Sequence, residues 1–122
     1  MLKKTLLPLF FITLLIGCGQ TPQEMYSGNW KLEFNGDISS EFMFIVKPDL
    51  TFSFAEGVNV NGENYDVFFS GEVIEDGTLN GSIFYEGDNV GNLSGAIEPE
   101  TGSGIWEGGG MSGTWTAVRD VN

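Results

Sequence analysis

A small polar residue, then glycine, one further residue and a branched or aromatic one: this pattern recurs six times along the chain. The copies are Ser27-Gly28-Asn29-Trp30, Ser70-Gly71-Glu72-Val73, Asn80-Gly81-Ser82-Ile83, Ser94-Gly95-Ala96-Ile97, Ser103-Gly104-Ile105-Trp106 and Ser112-Gly113-Thr114-Trp115. The last five glycines stand 10, 14, 9 and 9 residues apart. One strand plus one turn has that length, so the spacing is that of a β-meander. Short alternating runs of Phe, Val, Ile and Trp fill the intervals, and Gly, Asn, Asp and Pro separate them. The pattern predicts an all-β domain, a small antiparallel up-and-down meander barrel of about eight strands.

Register is strongly constrained, because a slip of one residue turns every apolar side chain to the other face. A three-residue loop at Glu75-Asp76-Gly77, with Gly77 left-handed, sets Val73 opposite Leu79, Gly71 opposite Gly81, Phe69 opposite Ile83 and Val67 opposite Tyr85. A similar loop at Gly87-Asp88-Asn89 sets Ile83 opposite Leu93 and Gly81 opposite Gly95. Four-residue loops at Glu98 to Thr101 and Glu107 to Gly110 then pair Leu93 with Trp106, Gly95 with Gly104 and Gly104 with Gly113. Upstream, an Asn61-Gly62 turn pairs Val58 with Tyr65 and Phe54 with Phe69. A Lys47-Pro48-Asp49 loop pairs Phe44 with Phe52, and a loop around Gly36 pairs Phe34 with Phe42. Closing the last strand against the first removes both sheet edges. A six-stranded barrel and an open sheet folded as a sandwich satisfy the same pattern.

This register brings Gly71, Gly81, Gly95, Gly104 and Gly113 into one inward-facing row, continued by Phe52, Phe44 and Leu32. The glycines either clear the wall of a ligand pocket, or let strands coil and seat bulky partners such as Trp30, Phe44, Phe52 and Trp106. An eight-stranded barrel has room for side chains or for one small ligand. The packed reading takes precedence, since aromatic residues supply ample bulk. A hollow barrel would offer a pocket of Trp30, Phe44, Phe52 and the five glycines, with polar groups from Tyr65, Tyr85 and Glu56 near a rim. Its ligand would be small and apolar, such as a fatty acid or other lipid fragment. On the outer face Phe68 stands opposite Phe84, and Met43 and Ile45 also point outward, which makes these four the candidate partner surface.

The amino-terminal segment carries a different message. Met1-Leu2-Lys3-Lys4, the uncharged stretch from Thr5 to Ile16 and small Gly17 form the three parts of a secretory signal peptide. The apolar run falls short of the ~20 residues that span a bilayer. Leu15-Ile16-Gly17-Cys18 resembles the lipobox of bacterial lipoproteins. That resemblance implies lipidation of Cys18, removal of residues 1–17 and acylation of the new amino terminus by palmitate-like chains. Residues 18–25 then form the lipidated cysteine and a linker, and residues 26–122 the barrel. Two acyl chains already hold a protein stably, so the three chains that the resemblance implies would make the membrane anchor effectively permanent. In that family an Asp after the cysteine favours the inner membrane. Gly19 here implies the outer membrane of a double-membrane bacterium, and a single-membrane host fits the same motif.

Gly28-Asn29-Trp30 on the first strand resembles the Gly-x-Trp signature of lipocalins, in which an Arg from the last strand packs over that Trp. Arg119 follows Gly113-Thr114-Trp115-Thr116-Ala117-Val118 and is placed for that part. The alternation of glycine and aromatic residues is similar to avidin-type barrels as well. The resemblance covers residues 26–119 and implies a barrel topology, without the lipocalins' carboxy-terminal helix or the polar set with which avidins hold biotin.

Charge and composition narrow the chemistry. The chain has a net charge of -12, which becomes -14 once residues 1–17 are removed, because they hold two lysines and no acid. Such a surface repels nucleic acid. Cys18 is the one cysteine and histidine is absent, so the common general base and the nitrogen and sulfur metal ligands are missing. Glu72, Glu75 and Asp76 cluster in sequence, but Glu72 projects outward and the others flank a turn. Asn59, Asn61, Glu63 and Asp66, and the Asp88-Asn89 pair, offer oxygen ligands without an EF-hand spacing and read as turn chemistry. No metal, cofactor or catalytic residue is expected. The expected function is that of a non-catalytic, lipid-anchored cell-envelope lipoprotein whose barrel serves as a protein-interaction or structural module. The alternative is a small carrier or sensor that binds an apolar ligand in the barrel.

Overall fold

The computed structural model describes residues 20–120, so the expected signal peptide, residues 1–17, and Cys18 lie outside the described residues. A short helix, α1 (Pro22–Tyr26), precedes eight strands: β1 (Gly28–Gly36), β2 (Ser40–Val46), β3 (Thr51–Val60), β4 (Glu63–Val73), β5 (Thr78–Tyr85), β6 (Asp88–Ile97), β7 (Thr101–Gly108) and β8 (Met111–Arg119). They form one antiparallel sheet in the order β2-β1-β8-β7-β6-β5-β4-β3, curled into a nearly closed up-and-down barrel. The period-two pattern drives the curl. In β1, for example, Trp30, Leu32 and Phe34 are buried while Lys31 and Glu33 between them are exposed.

Three ladders have the expected register. Phe54 faces Phe69 across β3 and β4, Gly71 faces Gly81 across β4 and β5, and Gly95 faces Gly104 across β6 and β7. The last strand also lies beside the first, with Leu32 opposite Ala117. Elsewhere shorter turns prevail. Glu86 and Gly87, at φ 52° and 87°, and Gly109 and Gly110, at φ 60° and 82°, form two-residue turns with left-handed backbone at both positions. Such turns match the strand twist better than the longer loops expected from the sequence. The Gly109-Gly110 turn moves its register by two residues; the Glu86-Gly87 turn moves its own by three, and a β-bulge at Val90, between the Ile83 and Phe84 pairings, returns one, so Gly81 faces Leu93 instead of Gly95, and Gly104 faces Trp115 instead of Gly113. The loop around Gly36 likewise places Phe42 opposite Leu32 instead of Phe34. Two-residue shifts keep the apolar face inward but break the row of five glycines.

The expected β2–β3 ladder does not form. Lys47 N–H bonds the Thr51 carbonyl at 2.9 Å, Leu50 turns into left-handed backbone at φ 69°, and its carbonyl accepts from Val73 N–H at 2.8 Å. The chain thus leaves β2 at a corner and joins β4. Aromatic rings close the seam instead, with Phe44 against Phe52 at 5.3 Å and against Phe54 at 5.6 Å.

Residues expected as linker also carry structure. Thr21-Pro22-Gln23-Glu24 is a capping box with proline in the first turn: the Thr21 hydroxyl accepts from Glu24 N–H at 3.2 Å, and the Glu24 carboxylate accepts from Thr21 N–H at 2.9 Å. The helix it starts delivers buried Tyr26 to one end of the barrel.

Two turns are held by carboxylates. Asp49 accepts from Thr51 N–H at 3.1 Å and its hydroxyl at 2.7 Å, and Asp76 accepts from Thr78 N–H at 2.9 Å. These bonds favour the charged form and lower both pKa values below the ordinary aspartate range. A depressed folded-state pKa contributes stability that is complete above the unfolded value, about 3.9, and is lost as pH falls through the folded one. Asp76→Asn keeps an acceptor but removes the charge. Thermal melts should therefore show wild type above the variant at pH 7 and the two converging at pH 2.

Candidate functional site

The meander gives the barrel two unlike ends. At one end lie α1, the corner after β2, and the β4–β5 and β6–β7 turns. Here the Trp30 indole N–H donates to the Tyr26 carbonyl at 2.9 Å, and the Arg119 guanidinium sits 4.8 Å above the Trp30 ring. Arg119 also donates to the carbonyls of Pro99 at 2.6 Å, Ser27 at 2.7 Å and Met25. That end is shut.

The middle of the barrel is filled, and the glycines explain how. Trp115 on β8 lies across Gly104 of β7 and donates its indole N–H to the Ser94 carbonyl on β6 at 3.1 Å. Trp106 on β7 lies across Gly113 of β8 and donates to the Asn35 carbonyl on β1 at 3.1 Å. Each indole spans three strands, which only a glycine in the middle strand allows. Phe52 covers Gly71 and Gly81 in the same manner; a Cβ on Gly81 would lie 3.2 Å from its ring. Trp30 and Phe44 are buried beside them. The residues singled out around the glycine row thus touch one another, and the space between them is occupied.

The opposite end is open. The turns after β1, β3, β5 and β7 surround a cavity of about 460 Å³. Phe34, Phe69, Ile83 and Trp106 form its floor, Val58 and Val67 part of its wall, and Ile38, Met111, Tyr65 and Tyr85 line it nearer the mouth. Phe34 stacks on Trp106 at 5.0 Å, so the floor is rigid aromatic surface. Of the sequence-derived pocket residues, Tyr65 and Tyr85 line this cavity. Their rings meet edge to face at 5.5 Å, and the Tyr65 hydroxyl donates to the Glu63 carboxylate at 2.8 Å. That bond and the negative charge of Glu63 raise the phenol's pKa.

Sequence reasoning missed the floor. Phe34, Phe69, Ile83 and Trp106 read as core, and so they are, yet one side of the layer they form is uncovered. The available signal was a second glycine pair, Gly91 opposite Gly108, which leaves the β6–β7 wall bare toward the mouth.

On the outer surface Phe68 and Phe84 pair at 6.4 Å, with Phe68 45% exposed. Met43 and Ile45 are exposed on β2, separated from that pair by the seam and β3. The four residues therefore form two patches. Among the described residues, no three carboxylates gather where a metal ion would be held, and no helix is long and apolar enough to cross a membrane. Comparison with protein-family models, curated proteins and solved structures finds no match. Fold and cavity define a small up-and-down β-barrel with one closed and one open end.

Proposed function

We propose that this chain is a lipid-anchored binding protein of the bacterial cell envelope, which holds a small apolar ligand in the open end of its barrel. The cavity carries the reading. Its volume lies within the 300–1,000 Å³ of ligand sites, and apolar side chains dominate its lining, with few polar groups at the rim. The Arg119–Trp30 contact supports the resemblance to lipocalin-like binding barrels. With the anchor at Cys18, the closed end faces the membrane and the mouth faces away from it, because α1 sits on the closed end.

Native mass spectrometry of the full-length exported chain, released gently from maltoside micelles, tests both parts. The protein mass should equal residues 18–122 plus acyl chains, and a discrete further mass should report the ligand. Val67→Trp fills the cavity from its wall and should abolish that further mass while circular dichroism stays that of a β-barrel. A clean unliganded mass, with no uptake from a panel of small apolar compounds, would overturn the binding role.

A further inference from the structure

The distribution of charge around the mouth selects the ligand's head group. The turns at that end bring in Asp37, Glu63, Glu86 and Asp88. The positively charged side chains among the described residues lie elsewhere. Lys31 is on the outer wall of β1, 3.5 Å from Glu41; Lys47 is at the corner after β2; Arg119 is locked into the closed end. A carboxylate or phosphate head would therefore enter a field of its own sign without a cation to meet it. The rim instead presents two tyrosine rings at a 73° angle beside the Glu63 carboxylate. Aromatic faces set at an angle next to an anion attract alkylammonium groups through the ring quadrupole and through charge.

We infer that the cavity takes a cationic amphiphile: an apolar chain inside, above the Phe34–Trp106 floor, and an alkylammonium head at Tyr65, Tyr85 and Glu63. The inference rests on the binding role proposed above and replaces the fatty acid or lipid fragment expected from the apolar inner rows, because a cavity's lining selects the tail and its mouth selects the head.

Three probes of equal chain length separate the possibilities: octyltrimethylammonium, octanol and octanoate, each added below its micellar concentration to the full-length chain in dodecyl maltoside micelles. The readout is the indole N–H resonance of Trp106, which lines the cavity, with Trp30 and Trp115 as internal references outside it. Octyltrimethylammonium should shift the Trp106 signal at about a tenfold lower concentration than octanoate, with octanol between them. Glu63→Gln should pull the ammonium-to-octanoate ratio toward one. Glu72→Gln, the same charge change on the outer face of β4, should leave that ratio near the wild-type value. Octanoate binding as tightly as the ammonium, or Glu72→Gln moving the ratio as far toward one as Glu63→Gln, would overturn the head-group assignment while leaving the cavity a binding site. If none of the probes moves Trp106, the binding role itself fails.

Discussion

Gly104→Val is expected to destabilise the barrel by about 4 kcal/mol, combining overpacking with loss of a buried hydrogen bond. A Cβ at this position would collide with the Ser94 carbonyl and lie 2.6 Å from the Trp115 indole nitrogen. Those are the two atoms of the hydrogen bond that crosses Gly104, so the side chain strikes both partners at once. Relief is blocked on both sides, because Trp115 is fully buried and the Ser94 carbonyl belongs to the neighbouring strand. Denaturant unfolding measures the loss. Gly57→Ala is the matched control, since a Cβ there would meet only Asp66 Oδ1, at 3.7 Å. It should be neutral or mildly stabilising, as the unfolded chain loses freedom. If Gly104→Val unfolds at the wild-type denaturant concentration, the indoles do not depend on the glycines beneath them.

Arg119→Ala should cost about 3 kcal/mol, the scale of several partly buried charge-assisted hydrogen bonds and a cation–π contact acting together. It would remove the donor to Pro99, Ser27 and Met25 and uncover the Trp30 ring. Arg119→Lys should recover less than half of that, because one ammonium cannot reproduce the planar fork that reaches the Pro99 carbonyl on one side and α1 on the other. Near-ultraviolet circular dichroism of the Trp30 environment should change in both variants. Wild-type stability in Arg119→Ala would show that α1 and the β6–β7 turn hold the closed end without it. The space for this guanidinium is also set by the chain: a Cβ on Gly28 would lie 2.9 Å from Arg119 Nη1, and Gly28 has φ +121°.

The sequence made the strand count, the meander and the first-to-last closure legible, because alternation and turn residues act locally. Asn61-Gly62 and Glu75-Asp76-Gly77 announce their turn types, and the ladders they set have the expected register. Registers were lost where the turn depended on a competition. Glu86-Gly87 and Gly109-Gly110 close tightly because the strand twist rewards positive φ at both positions, even for a glutamate. A shift of two residues leaves the apolar pattern intact, so that pattern is silent about it. The seam between β2 and β3 was equally hidden, because Phe44 near Phe52 satisfies the pattern as a ladder pair and as a ring contact. A hollow barrel with Tyr65 and Tyr85 near its rim was one of the two expectations, but the floor of the cavity was hidden for a related reason. Phe34, Phe69, Ile83 and Trp106 are core residues by composition, and an uncovered side is a property of the assembled layer, which no single residue carries.

Pairing β1 with β8 has a consequence for when the molecule can exist at all. Trp30 finds Arg119, and Gly36 finds Gly113, only after nearly the whole chain is present. Until then β1 and β2 form at best a lone hairpin, which is marginal in water. Contacts of such sequence separation also form slowly. In any chain that emerges amino terminus first, this barrel stays open until β8 is available to pair with β1. The topology makes the arrival of β8 the trigger for closing the barrel.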